Sequence, residues 1–177
     1  HPSSVVKAIN ACNCIRKYDG AFYGYNTDVI GFEKSLKPFL KAHHTKALIL
    51  GTGGAAVAVA WVLDQLAIPF KYVSRTAVGE DVISYQDLDA ATIKEHCLII
   101  NTSPVGMYPN VNDAPALDYN AISASHHLYD LIYNPAETLF LTKGKERGAS
   151  IQNGLEMLHL QAEASWKIWN SPTPFVQ

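Results

Sequence analysis

The stretch Lys46-Ala47-Leu48-Ile49-Leu50-Gly51-Thr52-Gly53-Gly54-Ala55-Ala56 decides the fold of this chain. Its start is a short, mostly apolar run typical of a buried parallel strand. The residues from Ala56 to Leu66 are apolar nearly all round, which favours a helix packed on a sheet. Gly51 and Gly53 have the G-x-G spacing of a phosphate-binding turn, and Ala56 takes the third, helix-packing position. Strand, turn and helix in this order predict a dinucleotide site, rather than a structural glycine turn, made by Gly51, Thr52, Gly53, Gly54 and Ala55.

The next apolar run, Phe70–Val73, predicts the strand that carries the ribose-binding position about 20 residues after the glycines. It ends in Ser74, Arg75 and Thr76 instead of an acidic residue. A carboxylate would accept a hydrogen bond from the 2′-hydroxyl of NAD, whereas a guanidinium and two hydroxyls suit the 2′-phosphate of NADP. We therefore predict NADP as the cofactor, the alternative being an exposed arginine that begins a loop.

The remaining pattern alternates strands with helices. Strands are predicted at 97–100 and 127–133 with an edge element from 148 to 151, and helices at 138–144 and 155–169. Such alternation predicts an α/β chain with a Rossmann-like, doubly wound parallel sheet. The polar run after the 97–100 strand, which includes Thr102 and Ser103, lies where such sheets bind ligands.

Composition excludes several functional classes. A net charge of −2 provides no basic surface for nucleic acid, and no apolar run approaches the ~18 residues of a membrane span. Three cysteines fit a cytoplasmic protein better than a secreted disulfide scaffold. No residue set has zinc spacing, so we expect no metal. The histidine pairs 43–44 and 126–127 are predicted to lie in solvated loops.

A β-hairpin is predicted near the N-terminus. Asp19-Gly20 is a strong two-residue turn signal, and the segments 13–16 and 22–25 flank it. A two-stranded ribbon is marginal alone, so it must dock on the rest of the chain, pair with another copy or stay loosely ordered. Trp166 and Trp169 on the last helix add exposed apolar surface, which favours self-association and a homodimer.

Six segments, in order, resemble the shikimate dehydrogenase family. They are 11–13 with 24–32, 51–55, 74–76, 101–107, 130–135 and 153–162. The departure within them is Ser74, where the family has asparagine. The resemblance extends through most of the chain and is far more specific than any one motif.

The resemblance implies reduction of 3-dehydroshikimate to shikimate by NADPH in aromatic amino-acid biosynthesis. It implies that Asp28 is catalytic and binds substrate, working with a lysine. It also implies two residue sets: Asn13, Tyr133 and Gln161 would bind substrate hydroxyls, and Thr102, Ser103, Leu131, Gly154 and Met157 would lie near the cofactor.

The family's Ser-x-Ser pair and Pro-His-Lys lysine have no counterpart in the sequence. We therefore expect a fragment, with residues 1–28 as the end of the substrate domain and 29–177 as the NADP-binding domain. We expect it to bind NADPH without turnover by itself. Two alternatives are a stand-alone NADP-binding module and a quinate-using relative.

Overall fold

The chain folds around a parallel β-sheet, in a computed structural model that describes residues 1–76, 78–79 and 81–177. The described residues contain these strands: β1 (Cys14–Tyr18), β2 (Ala21–Tyr25), β3 (Ala47–Leu50), β4 (Phe70–Ser74), β5 (Val82–Ser84), β6 (Leu98–Asn101), β7 (His127–Asp130) and β8 (Ser150–Gln152). They contain these α-helices: α1 (Ser4–Ile9), α2 (Asp28–Leu36), α3 (Gly54–Gln65), α4 (Ala90–Glu95), α5 (Leu139–Glu146) and α6 (Leu155–Asn170). Short 3₁₀ helices lie at Lys37–Phe39 and Tyr119–Ala121.

The six-stranded sheet has the order β5-β4-β3-β6-β7-β8, and all its neighbours run parallel. The chain therefore builds outward from β3 in one direction and then returns to β6 to build in the other. Such a reversal leaves a crevice at the carboxyl ends of the two central strands. The predicted doubly wound Rossmann-like fold is confirmed.

Helices cover both faces of the sheet. On one face, α2, α3 and α6 bury side chains such as Phe32, Val59 and Met157 against β3 and β7. On the other face, Ile93 of α4 and Phe140 of α5 pack on Leu48, Ile99 and Leu128. The central strands are buried on both sides, which explains why their sequences are continuously apolar.

The N-terminal hairpin forms as predicted, and it docks on the last helix. Asp19 and Gly20 both have positive φ, 47° and 74°, as a two-residue hairpin turn requires. The indole nitrogen of Trp169 donates to the carbonyl of Ile15 at 3.1 Å. The Arg16 guanidinium is buried and donates to the carbonyls of Ser171 and Thr173 beyond α6. The ribbon is therefore stabilised by long-range contacts with the C-terminal segment.

Two expectations need correction, and four elements were not predicted. Strand β7 ends at Asp130 and not at Tyr133, because the Asp130 side chain accepts from the backbone of Ile132 and turns the chain out of the sheet. Of the four histidines expected in solvated loops, His44, His126 and His127 are buried. The sequence did not predict α1, α2, α4 and β5, because each of these elements is too short for a clear apolar repeat.

The described residues contain no helix that is long and apolar enough to cross a membrane. The boundary expected between residues 28 and 29 falls at the start of α2, directly after the hairpin. This division into two domains stays a prediction.

Candidate functional site

A cavity of about 380 Å³ lies at the carboxyl ends of β3, β4 and β6. We call it the phosphate cavity, and its lining comprises Gly51, Thr52, Gly53, Val73, Ser74, Arg75, Tyr85, Thr102, Ser103, Pro104 and Val105. Gly51 has a φ of 110°, which side chains rarely adopt, and a Cβ there would lie 3.0 Å from Thr102 Oγ1. At Gly53 and Gly54 a Cβ would meet nothing within 4 Å, so the backbone stays open to a ligand.

The turn leads directly into α3, which begins at Gly54. The first N–H groups of a helix have no partner within the helix, and its dipole favours an anion at this end. Arg75 lines the same cavity from the end of β4, and its side chain is exposed. An anion-binding turn and a cation thus line the same cavity, which fits a dinucleotide that carries a further phosphate.

A second cavity of about 420 Å³ lies between the hairpin, α2 and α6. We call it the acidic cleft, and its lining comprises Asn13, Asp28, Ala55, Leu131, Tyr133, Gly154, Met157, Leu158 and Gln161. All four residues predicted to bind substrate are in this set. Amide, phenol and carboxylate groups that converge on one cleft can bind a small polyhydroxylated acid through several hydrogen bonds.

Asp28 is the one acidic residue of the cleft lining. Burial raises the pKa of its carboxyl group, and the neighbouring Asn13 side chain acts in the opposite direction. Its own backbone N–H donates to Asn26 Oδ1 at 3.1 Å, and so does the N–H of Val29 at 3.3 Å. The side chain of Asn26 therefore fixes the start of α2 and with it the position of the carboxylate.

The buried hydroxyl of Thr27 contacts the side chains of two residues that line the acidic cleft. Thr27 Oγ1 lies 3.2 Å from Asn13 Oδ1, 3.3 Å from Gln161 Oε1 and 3.0 Å from Ser165 Oγ. The backbone N–H of Thr27 also donates to Asn13 Oδ1 at 2.8 Å. Thr27 is fully buried, and it joins the hairpin to α6 through these contacts. No local pattern indicates this role, because the partners are up to 138 residues away in the chain.

A third cavity of about 480 Å³ joins the other two. We call it the middle cavity, and its lining comprises Thr102, Ser103, Pro104, Met107, Tyr108, Leu131, Ile132, Tyr133 and Asn134. It shares Thr102, Ser103 and Pro104 with the phosphate cavity, and Leu131 and Tyr133 with the acidic cleft. The three cavities therefore lie next to one another in a row from Arg75 to Asp28, and we call this row the trough.

The residues predicted to bind the cofactor fall into three groups according to the cavity that they line. Of the predicted cofactor set, Gly51, Thr52, Gly53, Ser74, Arg75, Thr102 and Ser103 line the phosphate cavity, while Ala55, Leu131, Gly154 and Met157 line the acidic cleft. Gly54 and Thr76 line none of the three cavities. Prediction missed Tyr85, whose pKa burial raises to about 12, because the preceding strand β5 was not foreseen. No group of three or more metal-ligating side chains occurs in the part of the chain that the structure describes.

Comparison with known proteins agrees with this geometry. No family model matches the chain. A shikimate dehydrogenase (NADP(+)) of Carboxydothermus hydrogenoformans is 37% identical over an alignment of 186 positions, gaps included, which covers 97% of this chain and 66% of that protein. The chain thus spans slightly less than two thirds of the length of this relative.

Two solved structures have the same fold. A chorismate mutase/shikimate 5-dehydrogenase fusion protein of Clostridium acetobutylicum is 37% identical with a TM-score of 0.84, over 96% of this chain and 64% of that one. A shikimate 5-dehydrogenase of Thermus thermophilus, in complex with NADP(H) and shikimate, is 29% identical with a TM-score of 0.83, over 98% and 67%. By sequence and by fold, the chain belongs to the shikimate dehydrogenase family.

Proposed function

We propose that the chain supplies the NADP site and the acidic catalytic residue of a shikimate dehydrogenase. The observation that carries this proposal is the trough, in which a phosphate-binding turn and a cleft with a half-buried carboxylate are linked by a cavity that shares lining residues with both. The names of the relatives favour shikimate and NADP over quinate and over a module without an enzyme.

Placement of the cofactor follows from the chemistry of the trough. The pyrophosphate would lie on the turn from Gly51 to Gly54, and the 2′-phosphate would meet Arg75. Leu131 and the other residues of the middle cavity would hold the nicotinamide half on the side of Asp28. When bound, the cofactor would supply the hydride for the ketone carbon of 3-dehydroshikimate, and the proton for the ketone oxygen would come from solvent or from an acidic group, which gives shikimate and NADP⁺.

The residues of the acidic cleft would hold the substrate for this transfer. Asn13, Tyr133 and Gln161 offer hydrogen bonds to ring hydroxyls, and Asp28 would accept from the hydroxyl that forms at the reacting carbon. Burial raises the pKa of Asp28, and a neighbouring cation would act in the opposite direction by favouring the carboxylate. None of the nine cleft residues is a lysine, so we propose that this chain alone binds NADPH without turnover.

Fluorescence titration tests the cofactor site. Arg75→Gln is expected to weaken NADPH binding by about tenfold or more, the cost of one charge-assisted hydrogen bond or two, and to leave NADH binding unchanged. Arg147→Gln is the matched control, since this arginine lies on a distant surface and donates to Asn120. Equal affinity of the wild type for NADH and NADPH, or an equal loss of both in Arg75→Gln, would refute the 2′-phosphate contact.

A separate assay tests the substrate half. Shikimate and NADP⁺ are mixed with the chain, and the absorbance of NADPH is followed. We expect no turnover above background, and a rate comparable to that of a full-length relative would contradict the missing-lysine argument.

Location and assembly belong to the same proposal. We expect the protein to act in the cytoplasm and without nucleic acid. Trp166 and Trp169 are 66% and 52% exposed and lie one turn apart on α6, which supports the expected homodimer. Sedimentation of the chain would detect the dimer, and its loss in Trp166→Glu would locate the interface.

A further inference from the structure

One buried carboxylate lies behind the trough and lines none of its cavities. Asp130 ends β7 and is fully buried, and it accepts hydrogen bonds from Asn101 Nδ2 at 3.0 Å, the Ile132 N–H at 3.1 Å and Thr138 Oγ1 at 2.6 Å. None of these donors is a cation. Burial of a carboxylate without a cationic partner is costly. An apolar residue at this position would avoid that cost but could not hold the three donors in place.

The first link of Asp130 leads to one wall of the middle cavity. Asn101 directs its Nδ2 to Asp130 and to the Val105 carbonyl, at 3.0 and 3.3 Å. Its Oδ1 therefore faces the other way and accepts from the backbone N–H and the Oγ of Ser103, at 3.0 and 2.6 Å. Since an amide nitrogen only donates, the two acceptors, Asp130 and the Val105 carbonyl, determine which way the Asn101 amide faces, and Asp130 is the nearer of the two. Ser103 is held in place by that orientation.

The second and third links lead to the opposite wall. The N–H of Ile132 begins the segment 131–134, which supplies Leu131, Ile132, Tyr133 and Asn134 to the middle cavity. Thr138 caps the N-terminus of α5 by accepting from the Leu141 N–H, and this closes the segment at its far end. Both walls of the middle cavity are therefore tied to the same two carboxylate oxygens.

We propose that Asp130 is a positioning residue that holds the two walls of the middle cavity at the separation needed by the nicotinamide half of the cofactor. This inference rests on the proposed NADP site. It predicts a selective effect: the turn after β3 and Arg75, which carry the anion-binding groups, make no hydrogen bond to Asp130 or Asn101, although Ser103 lines both the phosphate cavity and the middle cavity.

Two ligands separate the halves of the site. NADPH occupies the whole proposed trough, whereas adenosine 2′,5′-bisphosphate carries only the half that reaches Arg75. In Asp130→Ala, we expect NADPH affinity to fall by about tenfold, the loss of one or two buried hydrogen bonds, and adenosine 2′,5′-bisphosphate affinity to change by less than about twofold. Asp130→Asn keeps an oxygen for Asn101 and Ile132, so it is expected to restore most of the NADPH affinity.

The outcomes are distinguishable. If the wild type binds neither ligand, the proposed function fails before the inference is tested. If the wild type binds both, then an equal loss of both in Asp130→Ala, or no loss of either, overturns the positioning role. Should Asp130→Ala fail to fold, Asn101→Ala carries the same test, because it removes the acceptor of Ser103 and leaves the other two bonds of Asp130 intact. The same selective loss supports the inference, and an equal or absent loss refutes it.

Discussion

Gly31→Ala tests whether α2 and α6 approach too closely for any side chain. Gly31 lies inside α2, and a Cβ there would be 2.6 Å from the Met157 carbonyl oxygen and 3.1 Å from Gln161 Cβ. Ordinary contact begins at 3.4 Å, so the helices must separate by about 0.8 Å. The obstacle is backbone and cannot rotate away. Overpacking of this kind costs about 1–3 kcal/mol, and the better helix propensity of alanine offsets up to about 1 kcal/mol.

We therefore expect Gly31→Ala to lower the free energy of unfolding by about 1–2 kcal/mol, measured by urea denaturation with circular dichroism. Gly54→Ala is the matched control, because nothing lies within 4 Å of its Cβ position, and it should be neutral or slightly stabilising. Met157 and Gln161 also line the acidic cleft, so the shift of α6 should disturb that end of the site. A Gly31→Ala variant as stable as the wild type would refute the close-contact argument.

Two further predictions concern buried polar groups. Thr27→Val should cost about 1–3 kcal/mol of unfolding free energy and Thr27→Ser much less, because serine keeps the hydroxyl; equal losses in the two variants would contradict the hydroxyl's role. Burial lowers the pKa of His127 to about 4, so the folded state resists its protonation, and the stability contributed by neutral His127 should be lost as pH falls from about 6.5 to 4, up to about 3 kcal/mol. Burial also raises the pKa of Asp130 to about 6, so protonation of this carboxyl group adds stability to the folded state as pH falls below that value. The quantity to measure is therefore the difference in pH dependence of the unfolding free energy between the wild type and His127→Gln. Unchanged pH dependence in that variant, with exposed His159→Gln as control, would argue against His127.

Local signals were enough for the nucleotide half of the site. Gly51 needs a positive φ, and the turn, its strand and its helix are contiguous in the chain, so their physical requirements appear within about twenty residues. Arg75 follows the next strand and was predictable for the same reason. Tyr85 was missed because it follows β5, a strand of three residues that is too short for a periodic pattern.

The burial of the histidines depended on packing between distant segments. His127 stacks on Phe39 with ring centroids 5.2 Å apart and bonds to Ser150 and Gln152 of β8. The residues before it, from Ser123 to His126, are mostly polar and resemble a loop, yet its partners come from the 3₁₀ helix after α2 and from β8. Local polarity does not report such contacts, which explains the wrong prediction.

The sequence by itself determined the parallel α/β fold, the hairpin and the glycine turn, because each rests on backbone conformation or on the alternation of apolar residues over short ranges. Only the tertiary structure decided how Thr27 joins Asn13 to Gln161, how Asp130 ties two loops together, and how three cavities come to lie in one row. Those features depend on side chains 8 to 138 residues apart, whose approach follows from the packing of α2 on α6 and from the pairing of β6 with β7. Hydrogen bonds between such residues leave no pattern in the sequence, because neither partner is recognisable without the other.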